Sequence, residues 1–216
     1  MVDKKSLKEQ KIEAAEPYEG YWEESYDYAF SVLEKFFMEG SSEKILELGC
    51  GNGEFIEKYA KYFEQVVAVE KDSKNLNKAM ENAYEQGIDN ITFLGDPSNE
   101  KDLNTESFDF ILIGRSLQYM SSEDLSQTLQ KSVELLKEGG RLGIIVPHRK
   151  PGQAEYTKRY INLDEEYVIE SIDSDEFDGL AESSRGDLAV KRFQVEDFKN
   201  IEGLSLVENR VFQDVL

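Results

Sequence analysis

The 216-residue chain has a single cysteine, Cys50, and a single histidine, His148. One thiol cannot close an internal disulfide, and these two residues cannot supply a cysteine- or histidine-rich metal site. Positive charge is also scarce. Lys and Arg number 25 against 45 Asp and Glu, for a net charge of −20. Such a surface repels the phosphate backbone of long nucleic acids and the face of anionic membranes, so neither is an expected partner. Long apolar runs are missing: no stretch approaches the length of a membrane span. No apolar segment follows the basic start MVDKKSLKEQK, so no secretory signal is expected, and the expected compartment is the cytoplasm.

What is present suits one globular domain. Apolar residues make up 39% of the chain, with eleven Tyr and twelve Phe. Residues 1–16 read as a frayed end or loose helix. Residues 17–28 hold four Tyr and the only Trp, and from Tyr26 to Met38 apolar residues recur at helical spacing, with Gly40 as a stop. Strand-like and helix-like segments then alternate. Strands are expected at 44–49, 65–72, 90–96, 108–114 and 141–147. Helices are expected at 54–63, at 73–87 with Ser73 as N-cap, and at 121–140, where Ser121 and Asp124 are spaced as a capping box and a glycine pair ends the run. Continuous apolar strands separated by amphipathic helices predict an α/β fold, a doubly wound parallel sheet with helices on both faces. Residues 148–190 lack a clean period and are strongly acidic, with EYVIESI at 166–172 as a candidate further strand. A helix at 195–203 and a strand from 204 close the chain.

The stretch ILELGCGNG, residues 45–53, carries the chemistry. Gly49, Gly51 and Gly53 alternate directly after the first strand, where a doubly wound sheet binds its ligands. Glycine there lets the backbone turn tightly and approach a ligand. A dinucleotide loop would need a glycine at the position of Glu54, whose carboxylate would face a pyrophosphate, and no G-x-x-x-x-G-K-[ST] run is present. Glu47, two residues before the first glycine, suits a positively charged ligand instead.

LELGCGNG resembles motif I of the class I S-adenosylmethionine-dependent methyltransferases, E/D-x-G-x-G-x-G, and the resemblance extends over roughly residues 40–147. It implies a Rossmann-like, mostly parallel sheet of seven strands, or one strand short, and S-adenosylmethionine as cofactor. On this resemblance Glu47, Gly49, Cys50, Gly51, Asn52 and Gly53 surround the methionine portion, with Glu47 near its ammonium and sulfonium. Glu70, about twenty residues after the first glycine, accepts the ribose hydroxyls. Lys71 covers the adenine edge or is simply solvated, and Asp72 reads as a helix-start acid. Asp96 accepts from the adenine amino group. Pro97 departs from the family pattern, because it has no N–H for the adenine ring, leaving that contact to Ser98. Gly114, Arg115 and Ser116 border the transferred methyl; Arg115 pairs with a ligand carboxylate or serves a structural ion pair. Cys50 is a packed residue rather than a nucleophile.

The implied reaction is in-line methyl transfer to a small molecule. No general base stands out; His148, Tyr119 and Tyr21 are the candidates. Tyr18, Tyr21, Trp22, Gln118 and Tyr119 are expected on the substrate side, as pocket residues or core. The expected organisation is one domain: a helical and aromatic lid over 1–40, a cofactor-binding core over 41–147, an acidic cap over 148–194 and a C-terminal helix and strand over 195–216. The acids of the cap would favour a cationic acceptor or form a solvated face. A monomer or homodimer is expected. The alternatives are a non-catalytic cofactor-binding module and a protein methyltransferase.

Overall fold

The computed structural model describes residues 19–39, 43–95, 103, 105–147, 149, 152–161, 167–182 and 189–204. The central sheet contains β1 (Lys44–Leu48), β2 (Gln65–Val69), β3 (Ile91–Leu94), β4 (Phe108–Gly114) and β5 (Leu136–Ile145). All pairs are parallel and the spatial order is β3-β2-β1-β4-β5. The chain runs outward from β1 to β3 and returns to β4, so the order reverses between β1 and β4. Around the sheet lie α1 (Glu19–Glu39), α2 (Ile56–Tyr59), which continues into a 3-10 turn at Ala60–Tyr62, α3 (Ser73–Glu85) and α4 (Ser122–Leu135).

Strand alternation explains why helices cover both faces. Ile45, Val66, Ala68, Phe110 and Leu112 point to one side, where Phe37, Ile56, Tyr59, Phe63 and Ala79 complete a core. Leu46, Val67, Val69, Ile111 and Ile113 point to the other, against Leu117, Leu129, Leu135 and Phe193. The first core is aromatic: Phe37 meets Phe110 edge-on at 4.9 Å between ring centroids and Phe63 at 5.4 Å.

Helix α3 begins one residue earlier than the Ser73 cap expected. The carboxylate of Asp72 accepts from the Asn75 N–H at 2.8 Å, so Asp72 is the N-cap. Both residue types can cap, and the extended φ/ψ at Asp72 decides. Asp72→Ala is expected to lower stability by about 1 kcal/mol in urea denaturation; an unchanged midpoint would remove this cap from the account.

Two larger expectations are corrected. Helix α4 ends at Leu135, not at the glycine pair, and β5 starts at the next residue. Gly139 and Gly140 lie in a wide bulge: Phe108 pairs with Leu136 and Phe110 with Arg141, so residues 137–140 loop out opposite Asp109. Gly139 has φ +76°, and a Cβ on Gly140 would stand 3.1 Å from the Phe108 carbonyl. Lys137 closes the bulge with Nζ contacts to Glu43 at 2.7 Å and Asp109 at 3.1 Å.

Among the described residues the strand count is also lower than seven or six. Among the described residues the main sheet has five strands, and the segment after β5 builds a second sheet. There β6 (Tyr156–Ile161) pairs antiparallel with β7 (Tyr167–Ile172) and β8 (Ala189–Lys191). The short helix α5 (Ser174–Glu182) packs on it, with Phe177 against Tyr156 at 5.0 Å and both Phe177 and Ala189 fully buried. Instead of the helix expected at 195–203 there is a 3-10 turn at Val195–Phe198, with the Asp197 carboxylate accepting from the Gln194 N–H. Residues 1–18, and the strand expected from 204 apart from Leu204 itself, lie outside the described residues.

Candidate functional site

The carboxyl ends of β1, β2 and β4 meet at the point where strand order reverses, the place where sheets of this kind bind ligands. The loop leaving β1 crosses the end of β2: Gly49 and Cys50 N–H both donate to the Val69 carbonyl, at 2.8 and 3.0 Å. Gly49, Gly51 and Gly53 all have positive φ, +76°, +54° and +84°. This explains the alternating glycines, because side chains rarely adopt that conformation. The three differ in surroundings. A Cβ on Gly49 would stand 2.6 Å from Ser116 Cβ, and one on Gly53 would stand 3.2 Å from Ala79 Cβ. A Cβ on Gly51 would meet nothing within 4 Å. The loop is therefore packed at its two ends and open at its crest.

Glu70 holds that crest. Its two carboxylate oxygens accept from Gly51 N–H at 2.9 Å and Asp72 N–H at 2.8 Å. Each oxygen keeps a further lone pair for a ligand. Asn82 of α3 secures the other side, donating to the Asn52 carbonyl at 2.9 Å. Ser116, just after β4, donates through Oγ to the Leu48 carbonyl at 3.1 Å.

Glu47 lies beneath the loop rather than at its surface. It is 1% exposed, and Tyr59 Oη donates to its Oε2 at 2.8 Å. Burial raises its pKa to about 8; the Tyr59 hydrogen bond opposes that rise, and the nearby Glu54 and Glu70 charges add to it. Burial likewise pushes the Tyr59 phenol well up. Cys50 is buried, and burial, together with the Glu47 and Glu70 carboxylates, pushes its thiol up, which suits packing and not nucleophilic attack.

Beyond β4, Arg115 has φ +59°, a conformation uncommon for a side-chain-bearing residue, and its N–H donates to the Ile145 carbonyl at 2.8 Å. Next come Ser116 and a 3-10 turn, Leu117–Tyr119, which packs against β8 of the small sheet. Further bonds tie that sheet and its helix to the main body. Phe193 N–H donates to the Pro147 carbonyl at 2.9 Å, Arg149 N–H to the Phe193 carbonyl at 2.8 Å, and Ser122 N–H and Oγ to Asp178 Oδ1. The small sheet thus stands beside the carboxyl ends of β4 and β5. The described acids Glu170, Asp173, Asp175 and Glu176 are exposed.

The description of a methyltransferase domain family matches residues 45–140, from β1 into the bulge of β5. Residues 45–140 therefore match a methyltransferase domain. Across 112 residues it is 30% identical to a tRNA/tmRNA (uracil-C(5))-methyltransferase of Campylobacter lari, covering 52% of this chain and 24% of that protein. It is 28% identical over 106 residues to a ubiquinone biosynthesis O-methyltransferase of Chelativorans sp., covering 49% and 41%. The chain thus spans about a quarter and two fifths of the length of these relatives. The solved structure of DhpI in complex with SAH superposes with a TM-score of 0.52 at 16% identity, covering 76% of this chain and 74% of that one. That likeness is one of fold.

Of the residues expected at the methyltransferase site, the fold brings Gly49 to Gly53, Glu70, Gly114, Arg115 and Ser116 to one end of the sheet. Lys71 and Asn52 are exposed there. Gln118 and Tyr119 sit on the 3-10 turn. Tyr18, Asp96, Pro97, Ser98 and His148 lie outside the described residues, as do the side chains of Tyr21 and Trp22 on α1. Tyr59 was missed. Its helical spacing with Ile56 and Phe63 marks it as buried, and a buried phenol needs a partner, but nothing local names Glu47.

Proposed function

We propose that this chain binds S-adenosylmethionine over the crest of the Gly49–Gly53 loop and methylates a small molecule. The observation that carries the proposal is the open face of Gly51 beside the Glu70 carboxylate. No Cβ-sized obstacle stands above the crest, and two lone pairs are available for a ribose diol. Glu47 below would favour a cation above it once ionised. When bound, the cofactor supplies an activated methyl on sulfur, which an acceptor lone pair displaces in line. Such chemistry is helped mainly by positioning, so a dedicated base is optional. Ser116 and Asn82 hold the loop, Glu70 orients the nucleoside, and Gln118 and Tyr119 face the acceptor side.

Two features favour a small acceptor. The net charge of −20 disfavours RNA and DNA. The small sheet packs against the 117–119 turn, a position from which it would cap the acceptor side. Among the described residues no helix is long and apolar enough to cross a membrane.

Calorimetric titration with S-adenosylmethionine, S-adenosylhomocysteine and NAD tests the cofactor. Micromolar binding of the adenosyl ligands without NAD binding is the expected result, and Glu70→Ala is expected to weaken it tenfold or more, about 1.4 kcal/mol per decade. Equal affinity in the variant would remove Glu70 from the site.

A further inference from the structure

Gln118 is 2% exposed, and among the described residues no donor reaches its Oε1. A buried carbonyl oxygen left without a hydrogen bond bears its full desolvation cost, and few native groups do so without a reason. Its place in the fold supplies one. The 117–119 turn follows the carboxyl end of β4, and two residues before Gln118 the Ser116 side chain fills the space left by Gly49. On its other side the turn packs against β8. The turn that carries Gln118 therefore stands between the glycine loop and the small sheet. Its chain neighbour Leu117 is fully buried in the apolar core, and low local polarity strengthens any hydrogen bond made there.

We infer that Gln118 Oε1 accepts a hydrogen bond from the methyl acceptor, so that the acceptor carries an N–H or O–H at or beside the atom that is methylated. This rests on the reading of the crevice as a methyl-transfer site. An amide carbonyl accepts and does not titrate, so Gln118 is a recognition group and not a base. The acceptor lone pair forms the new bond to the methyl carbon, the carbon–sulfur pair stays on sulfur, and the acceptor proton leaves to water. A carboxylate acceptor, which brings only oxygen lone pairs, would face the Gln118 oxygen repulsively, and a tertiary amine without a hydroxyl would leave it unpaired. Both classes are excluded.

The test uses the whole chain with S-adenosylmethionine. Release of S-adenosylhomocysteine is followed against primary and secondary amines, alcohols and phenols, each beside its fully methylated counterpart, and against simple carboxylates. Turnover confined to compounds with N–H or O–H is expected. On the best of them, Gln118→Leu is expected to lower kcat/KM by 10- to 100-fold, with the calorimetric Kd for S-adenosylhomocysteine within twofold of wild type and an equal or higher Tm. Gln118→Met repeats the test should the leucine variant not fold. Turnover of a carboxylate, full kcat/KM in the variant, or a silent panel with cofactor bound would each overturn the assignment. An Oε1 that merely holds a buried water gives the second of these results. Failure of the wild type to bind the cofactor at all would instead sink the reading of the site.

Discussion

Replacing Glu47 by glutamine is expected to leave stability nearly unchanged at pH 4.5 and to raise it by several kcal/mol at pH 8.5. In the folded protein burial lifts the Glu47 pKa from an ordinary 4.5 to about 8. Between these values the folded state keeps a proton that the unfolded chain has released. The native state then binds more protons than the unfolded one, so stability falls as pH rises. The contribution is fully present below pH 4.5, declines across the interval, and is lost once the folded group ionises above about 8. The interval corresponds to roughly 5 kcal/mol at most, a large share of the 5–15 kcal/mol typical of a domain. Glutamine keeps an acceptor for Tyr59 Oη and cannot ionise, so the variant lacks this slope. Other titrating groups are common to both proteins and cancel in the difference. Urea denaturation of both proteins at half-unit steps from pH 4.5 to 9 checks this. Parallel curves would mean that Glu47 is not the buried acid the packing requires.

This acid also shows where sequence is informative and where it is not. A carboxylate inside a buried strand is visible in KILEL, and its oddity marks the site. Its partner is not visible, because Tyr59 comes from a short helix twelve residues on and only the closed fold turns its hydroxyl inward. Strand β4 matched its expected ends at Phe108 and Gly114, since the apolar stretch Phe110–Ile113 after Asp109 has no competing period. The end of α4 did not. Leu135, Leu136 and the glycine pair allow either a late helix stop or a strand with a bulge, and pairing of Leu136 with Phe108 decides for the strand. Of the small sheet only EYVIESI at 166–172 reads as a possible strand, and β7 lies there; β6 was illegible for a related reason. In YTKRYI alternate positions read Tyr, Lys, Tyr and Thr, Arg, Ile, so neither set is uniformly apolar and no period-two signal stands out. Its register comes from β7 and β8, which are distant in the chain. The Glu70 brace on Gly51 is likewise a long-range bond, seen only once the ends of β1 and β2 lie side by side.

The glycine loop offers a sharper experiment, because two chemically identical substitutions should fail in different ways. Gly49→Ala places a methyl 2.6 Å from Ser116 Cβ at φ +76°. The left-handed backbone costs about 1–2 kcal/mol. The overlap adds roughly 1–3 kcal/mol, because Ser116 is itself fixed by its bond to the Leu48 carbonyl and cannot retreat freely. A loss of about 2–5 kcal/mol is expected in urea denaturation. Gly51→Ala bears the backbone cost alone, since a Cβ there meets nothing within 4 Å, so the fold should survive with a loss of about 1–2 kcal/mol. The cost of this second variant appears instead in binding. Its methyl projects into the space assigned to the cofactor, and affinity for S-adenosylmethionine is expected to fall at least tenfold, while Glu70 still accepts from the residue 51 N–H. Calorimetry on the two purified variants separates the roles. Wild-type affinity in Gly51→Ala would show that no ligand lies over the crest, and the open face of that glycine would then serve only the turn.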